Sequence, residues 1–243
     1  MNNRTVLITG VSRGIGRAIA LRLLEDGHQI IGIARNPTAS GIASQNFQGI
    51  ALDLQQLAVL PQAFKAIEAD FPRIDTLIAC AGRGDFGSLE EFSYARIDRL
   101  IALNFTSQVY LARSFIPHLK RRKHGDLIFI GSEAALQGKR KGSLYCAAKF
   151  ALRGLAQALR EECAGSRVRV SIIHPGMVAS NFFDDLNFAP GEREENAILP
   201  EDVAELVVCL LRLRNTTVVD EIVVNPLSKA IRFKKPAADD AQE

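Results

Sequence analysis

The sequence lacks any apolar run as long as the ~18 residues that suggest a membrane span. Its first residues, Met1 to Asn3 followed by Arg4, also lack the apolar core of a signal peptide. The four cysteines include no Cys-x-x-Cys pair, and no histidine stands close to them in the sequence to complete a metal cage. We therefore expect a cytoplasmic protein with no membrane partner and no metal site.

A large excess of charge of either sign is also absent. Thirty Lys and Arg residues face 27 Asp and Glu residues, which gives a net charge of +3. This balance excludes a strongly basic nucleic-acid-binding protein and a highly acidic solvating protein. A basic run at residues 120–124 lies at the predicted end of a helix, where cations stabilise the helix dipole. We expect no nucleic-acid partner.

Glycine and proline are neither scarce nor abundant, with 18 and 9 among 243 residues. Collagen-like and low-complexity proteins are thereby excluded, and a hydrophobic fraction of 47% excludes general disorder. The sequence contains no internal repeat. We expect a single folded domain over residues 1–233, followed by a disordered tail at 234–243, where the composition turns to Pro, Ala, Asp, Gln and Glu.

What the sequence does contain is a regular alternation of short β-rich runs and longer amphipathic stretches. The predicted strands cover residues 6–9, 29–34, 49–52, 76–80, 127–130, 168–173 and 218–224. The predicted helices cover residues 14–26, 57–70, 94–122, 143–164 and 200–213. Pro37 and Gly41 predict a loop, not a long helix, in the crossover that follows the second strand. The fold class is α/β, with a doubly wound, seven-stranded parallel sheet and helices on both faces.

A glycine-rich turn joins the first predicted strand to the first helix. Residues 9–16 read Thr-Gly-Val-Ser-Arg-Gly-Ile-Gly. Glycines in such a turn let the backbone approach a pyrophosphate, whose charge the helix N-terminus stabilises. The same residues match the G-x-S-x-G nucleophile elbow of hydrolases at Ser12. An elbow needs earlier strands, however, and only nine residues precede Gly10. A purely structural turn is the remaining alternative.

A second group of residues suggests proton transfer. Tyr145 and Lys149 are four apart in a predicted helix, so their side chains share one face. A phenol of pKa near ~10 becomes a usable acid–base group when a nearby ammonium, here Lys149, favours the phenolate. Ser132 follows a predicted strand, at the end of the sheet where α/β proteins bind ligands. Asn104 lies mid-helix on an apolar face, a costly place for an amide unless something inside requires it.

These residues resemble the motifs of the short-chain dehydrogenase/reductase family, whose fold is Rossmann-type. The glycine turn is similar to its coenzyme-binding signature, and four residues match its catalytic tetrad in order: Asn104, Ser132, Tyr145 and Lys149. The resemblance implies that Tyr145 protonates a substrate carbonyl oxygen that Ser132 hydrogen-bonds. It also implies that Lys149 binds the nicotinamide ribose while lowering the pKa of Tyr145, and that Asn104 holds water in the proton relay.

The resemblance further implies a dinucleotide cofactor, and two arginines favour NADP(H). Arg35 ends the second strand, where an acidic residue would favour a free 2′-hydroxyl and a guanidinium can instead bind a 2′-phosphate. Arg13 approaches from the glycine turn. The full set of predicted cofactor residues is Gly10, Ser12, Arg13, Gly14, Ile15, Gly16, Arg35, Asp53, Leu54, Ala81, Gly82, Tyr145, Lys149, Pro175, Gly176, Val178 and Ser180.

The resemblance has departures and open alternatives. Cys80 stands where many members have an Asn that braces the central sheet, which puts local stability in doubt. His174, beside Pro175, suggests either a Ser-His hydrolase or a structural histidine. Residues 180–199 combine phenylalanines with acidic side chains, a composition that suits either a mobile lid over an active site or a disordered surface loop.

The substrate end of the predicted site carries three consecutive cations. Lys139, Arg140 and Lys141 stand where relatives line the substrate entrance, either as a solvated charge run or as a site for a carboxylate or phosphate. We expect an NADPH-dependent reductase of a small aldehyde or ketone, reversible in principle. A non-catalytic NADP(H)-binding sensor on the same fold is the alternative. The resemblance also implies a homodimer or homotetramer that pairs through the helices at 94–122 and 143–164.

Overall fold

The structure, a computed structural model, describes residues 3–234. The strands in this part of the chain are β1 (Thr5–Thr9), β2 (Gln29–Ala34), β3 (Phe47–Ala51), β4 (Thr76–Ala79), β5 (Gly125–Ile130), β6 (Val168–Pro175), β7 (Phe188–Pro190), β8 (Glu221–Val224) and β9 (Ile231–Phe233). Seven of them form one parallel sheet in the order β3-β2-β1-β4-β5-β6-β8. This order reverses direction between β1 and β4. The predicted doubly wound, seven-stranded sheet is therefore confirmed.

The helices of residues 3–234 are α1 (Gly14–Glu25), α2 (Leu60–Asp70), α3 (Tyr94–Ile101), α4 (Ser107–Arg122), α5 (Ser143–Ala164) and α6 (Pro200–Arg212). Their bounds lie within a few residues of the prediction, with one exception. The single helix predicted over 94–122 is two helices, because a π-turn at Ala102–Thr106 separates α3 from α4. None of the helices described is both long enough and apolar enough to cross a membrane.

The strand residues alternate between two apolar layers, one on each face of the sheet. Leu7 of β1 belongs to the cluster that includes Phe115 of α4 and Leu152 of α5. Its neighbour Ile8 points the opposite way, into the cluster that includes Leu23 of α1. Helix α6 packs beside α1 on that second face. Because both faces are covered, the central strands are mostly apolar and buried on both faces, as expected for a parallel sheet.

A second, two-stranded sheet was not predicted. β7 and β9 pair antiparallel, with Phe188 opposite Phe233 and Pro190 opposite Ile231. Lys234, which the sequence places in the disordered tail, continues this pairing, because its backbone N–H donates to the Asn187 carbonyl at 2.8 Å. Residues 235–243 of the predicted tail lie outside the described residues.

Two further predictions concern the segments that follow β2 and β4. The crossover after β2 contains a short 3-10 turn, Pro37–Ser40, and no α-helix, as the sequence predicts. The strand ends near Cys80 are tied together by another residue. The hydroxyl of Thr9 accepts hydrogen bonds from the backbone N–H groups of Cys80 and Ala81, each at 3.0 Å. Thr9 thus links the carboxyl ends of β1 and β4 beside Cys80.

Candidate active site

One large cleft lies at the carboxyl ends of the parallel strands, with a volume of about 1010 Å³. It opens between β1 and β4, the point where the strand order reverses and where open α/β sheets bind ligands. All of the residues predicted to bind the cofactor line this cleft, and so do Ser132, Tyr145 and Lys149. The structure therefore brings together side chains that the sequence scatters from residue 10 to residue 180.

The glycine turn has the backbone geometry of a phosphate cradle. Gly10 has a φ of +81° and Gly14 a φ of +59°, which side-chain-bearing residues rarely adopt. A Cβ atom on Gly16 would lie 2.4 Å from the Gly10 carbonyl oxygen, and one on Gly10 would lie 3.0 Å from the Cα of Ala81. The turn is thus folded tightly on itself and against the loop after β4, and larger residues could not replace these glycines.

Helix α1 presents its N-terminus to the cleft. Arg13 occupies the N-cap position in an extended conformation, and its side chain makes no capping hydrogen bond. The first turn of α1 also carries no acidic residue. Its first N–H groups have no helical acceptor, so they remain available to an anion that enters the cleft. The donor set therefore fits a pyrophosphate, and the nucleophile elbow is not needed to explain the turn.

The residues predicted to select the cofactor lie at the rim of the cleft. Arg35 is exposed at the end of β2, and Arg13 is exposed above the turn. The Arg13 guanidinium lies 3.9 Å from the Asp184 carboxylate, a solvent-exposed ion pair that a stronger anion can replace. Asp53 uses one carboxylate oxygen to accept from the backbone N–H of Gln55 at 2.9 Å, which fixes the turn after β3.

Tyr145, Ser132 and Lys149 converge on one wall of the cleft. Tyr145 and Lys149 share the buried face of α5, and the Lys149 ammonium lies 5.9 Å from the centre of the Tyr145 ring. That ammonium donates to the Ile130 carbonyl oxygen at the end of β5, at 3.0 Å. The Ser132 hydroxyl accepts from the Ala134 backbone N–H at 3.2 Å and lines the same cleft as the Tyr145 phenol. The two hydroxyls therefore face the same space.

The predicted effect of Lys149 on Tyr145 is wrong for this structure. Burial raises the pKa of Tyr145 to about 12, and the Ser132 side chain opposes this rise only in part. Burial also lowers the pKa of Lys149 to about 8. The phenol is 6% exposed, so the loss of hydration outweighs any attraction of the ammonium. The four-residue spacing predicts that Tyr145 and Lys149 share a helix face, but it does not predict how deeply that face is buried.

Asn104 lies behind the cleft wall, fully buried in the π-turn between α3 and α4. Its amide oxygen accepts from the Arg83 backbone N–H, and its amide nitrogen donates to the Arg83 carbonyl, both at 2.9 Å. A Cβ on Gly82 would lie 2.8 Å from that amide oxygen, which requires a glycine there. The Asn104 side chain therefore holds the loop after β4 in place, a contact that the sequence did not predict.

His174 supports the Ser132 loop and does not touch its hydroxyl. The fully buried imidazole places Nδ1 3.1 Å from the Ser132 backbone carbonyl oxygen. Burial lowers the pKa of His174, which favours the neutral ring. A Ser-His hydrolase needs the imidazole at the serine Oγ. The geometry matches a structural histidine.

The sequence analysis missed two residues that shape the site, Phe86 and Gln108, and placed Phe182 only within the candidate lid at 180–199. Phe86 and Phe182 cover Tyr145, with ring centres at 5.2 Å and 5.9 Å from its own. Gln108 donates to the carbonyl oxygens of Ala81 and Asn104 from a buried position on α4. One signal was available for Phe86, because an aromatic residue flanked by glycines and aspartate soon after a strand end is a typical binding loop.

The sheet order, the glycine turn and the cleft at the switch point define a dinucleotide-binding α/β enzyme. The profile of the short chain dehydrogenase family matches residues 4–190. The chain belongs to this family of oxidoreductases, which confirms the family, the fold class and the enzyme class that the sequence predicts.

Individual relatives match this chain along most of their length. The chain is 28% identical over 241 residues to a sepiapterin reductase of Chlorobaculum tepidum, covering 93% of this chain and 98% of the relative. Among solved structures, it is similar to an alcohol dehydrogenase of the archaeon Thermococcus sibiricus complexed with 5-hydroxy-NADP, with a TM-score of 0.82, 27% identity, and coverage of 94% and 99%. It is also similar to a metagenomic short-chain oxidoreductase in complex with NADP, with a TM-score of 0.78, 30% identity, and coverage of 93% and 98%.

Proposed function

We propose that this protein is an NADPH-dependent reductase of small aldehydes and ketones, reversible in principle, with Tyr145 as its general acid. The observation that carries the proposal is the convergence of Tyr145, Ser132 and Lys149 on the wall of the cleft that begins at the glycine turn. A phenol, a hydroxyl and an ammonium in this arrangement can donate a proton and stabilise the group that has lost it.

The cofactor is NADP(H). The two solved structures described above, complexed with NADP or its 5-hydroxy derivative, support this assignment. In this chain, the glycine turn and the α1 N-terminus would hold the pyrophosphate, while Arg13 and Arg35 supply cations for the 2′-phosphate. When bound, the reduced nicotinamide supplies a hydride for the substrate's carbonyl carbon.

The protein's own residues supply the proton and the polarisation. Tyr145 stays protonated at neutral pH, because burial keeps its pKa at about 12, and its phenol can give the proton to the carbonyl oxygen. The Ser132 hydroxyl donates a hydrogen bond to the same oxygen. Lys149, which is fixed to the Ile130 carbonyl, places a positive charge near the phenolate that remains. The burial of Tyr145 excludes water from this exchange and strengthens each charge interaction.

The test is the Tyr145→Phe variant, assayed with a panel of aldehydes and ketones by loss of NADPH absorbance. We expect turnover to fall by about 10²- to 10⁴-fold while NADPH still binds, since only the proton donor is removed. Tyr94→Phe is the matched control, because Tyr94 is 88% exposed and does not line the cleft. Unchanged turnover in Tyr145→Phe would contradict the proposed acid. A wild-type protein that binds NADPH and reduces nothing in the panel would be the non-catalytic sensor.

We also propose that the chain forms a homo-oligomer through α4 and α5. Phe150 on α5 is 43% exposed, and a partner copy would remove this apolar surface from water. Analytical ultracentrifugation distinguishes the dimer and the tetramer from the monomer. A monomer at micromolar concentration would contradict the proposal.

A further inference from the structure

A cluster of aromatic rings surrounds Tyr145, the proposed general acid. Phe86 and Phe182 lean on the Tyr145 ring at interplanar angles of 46° and 58°. Phe188 meets Phe86 edge to face, with ring centres 5.1 Å apart. These separations are typical of favourable aromatic pairs. On this side of the cleft, the phenol is therefore packed against ring faces and edges.

Two of these rings are held by rigid contacts. The buried carboxylate of Asp85, next to Phe86, accepts two hydrogen bonds from the Arg96 guanidinium of α3. On the other side, the Gly87 backbone N–H donates to the Lys141 carbonyl at 2.7 Å. Phe188 lies in β7, whose pairing with β9 fixes its position. Phe86 and Phe188 thus form a preorganised part of the cleft.

The third ring, Phe182, comes from the segment that covers the cleft. Its backbone N–H donates to the Ser180 hydroxyl at 3.4 Å. Phe182 lies in the short 3-10 turn Asn181–Phe183, in which Asn181 is exposed. A Cβ on Gly84 would lie 2.6 Å from Cζ of Phe182 and 2.9 Å from Cε2 of Phe86. The edges of both rings therefore converge on one point above Gly84, and the absence of a side chain there makes their approach possible.

We propose that the substrates of this reductase carry their carbonyl group on a flat aromatic ring, which packs against the cleft-facing edges of Phe86 and Phe182 beside Tyr145. This inference rests on the proposed function and names its substrate class. A planar ring can make face and edge contacts with both phenyl groups, whereas a saturated ring of the same size is thicker and has no π-system. The shared contact with Tyr145 places the substituent nearest the phenol, which is where the carbonyl must lie.

The first test compares matched ketones that differ only in the ring, acetophenone and cyclohexyl methyl ketone. For each protein we take the ratio of kcat/KM for the aryl ketone to that for the cyclohexyl ketone. Phe182→Leu and Phe86→Leu remove one ring each and keep apolar volume, so each variant should lower this ratio by about 2- to 12-fold. Phe182→Tyr keeps the ring and should retain the ratio. Phe71→Leu is the control, because Phe71 lies outside the cleft.

The second test does not depend on turnover. Benzamide and cyclohexanecarboxamide carry unreactive carbonyl groups, and their affinities for the NADP-loaded protein can be compared by calorimetry. Benzamide should bind more tightly to the wild type, and Phe182→Leu or Phe86→Leu should reduce that difference by about 2- to 12-fold.

The two tests separate failure of this inference from failure of the proposed function. Ratios that stay unchanged in both leucine variants, with turnover of both ketones, would overturn the aromatic substrate class and leave the reductase intact. A wild type that binds NADPH and reduces no aldehyde or ketone of the panel would contradict the proposed function, and the amide affinities would still decide whether the rings form an aromatic site. Equal binding of the two amides would overturn that site.

Discussion

The amide of Asn104 exchanges two hydrogen bonds with the backbone of Arg83, accepting from its N–H and donating to its carbonyl, each at 2.9 Å. The π-turn at Ala102–Thr106 inserts an extra residue into the helical ladder and thereby aims this amide at the loop after β4. That loop leads directly to Phe86. The position of one cleft wall therefore depends on an irregular turn of the helix behind it.

Asn104→Ala should destabilise the protein by about 2–4 kcal/mol, because the backbone N–H and carbonyl of Arg83 would lose their partners. Urea unfolding measures this loss. Ser107→Ala is the control, since the Ser107 hydroxyl only adds a bond to the Leu103 carbonyl within the same helical segment. We expect the control to cost less than about 1 kcal/mol. An Asn104→Ala variant as stable as Ser107→Ala would contradict the bracing role.

The pH dependence of carbonyl reduction should reflect Lys149. Its pKa of about 8 means that the ammonium is present below pH 8 and is lost as the pH rises through that value. Tyr145, with a pKa of about 12, remains protonated over the same range. We expect kcat/KM for reduction to fall above about pH 8 with the loss of one proton.

Lys149→Arg provides the matched comparison for this pH profile. A guanidinium stays charged past pH 12, so the fall above pH 8 should disappear from the profile of any activity that the variant retains. A wild-type profile that is flat up to pH 10 would show that the charge on Lys149 is not required.

Arg35→Asp should change the cofactor preference. Replacing a charge-assisted partner of the 2′-phosphate should weaken NADPH binding by about 10- to 150-fold, whereas NADH, which lacks that phosphate, should change little. Fluorescence titration with both cofactors measures the effect. Arg214→Asp is the control, because it makes the same change of charge at an exposed position after α6, outside the cleft and outside the proposed oligomer interface. Equal losses for the two cofactors would contradict the role of Arg35.

Lys139, Arg140 and Lys141 form an exposed cationic loop at the mouth of the cleft. If this loop attracts an anionic group on the substrate, changing all three residues to Gln should raise KM for a carboxylate-bearing carbonyl by about 3- to 10-fold at low salt. The effect should shrink as salt is added, because exposed charges are screened. A neutral carbonyl of similar shape serves as the control. An unchanged KM for every anionic carbonyl tested would identify the loop as solvated charge only.

Much of the fold follows from patterns that are local in the sequence. β2 and α5 have the predicted bounds, because a continuous apolar run and a 3.6-residue periodicity each identify one kind of element. The glycine turn was also predictable, since its conformation excludes side chains whatever surrounds it. The glycine turn, Arg35 and Ser132 all reach the cleft, because parallel strands end at one edge of the sheet.

The features that the sequence did not predict depend on contacts between distant segments. The π-turn keeps an ordinary helical composition, and the partner of its Asn104 side chain, the Arg83 backbone, lies 21 residues away in the chain. The pKa of Tyr145 rises because rings from residues 86 and 182 bury it, and neither residue is near it in the chain. β7 has only three residues, too few for a periodicity, and 40 residues separate it from its partner β9.

The pairing of β7 with β9 also affects how long a molecule stays in the cleft. Phe188 of β7 and Phe233 of β9 both line the mouth, and Lys234 ties the same segment to the carbonyl of Asp184 at 3.0 Å. Widening this exit requires the ladder and the lysine contacts to break together. We therefore expect this pairing to slow the escape of product from the cleft. Substitutions in 231–234 should alter residence time without touching any group that reacts.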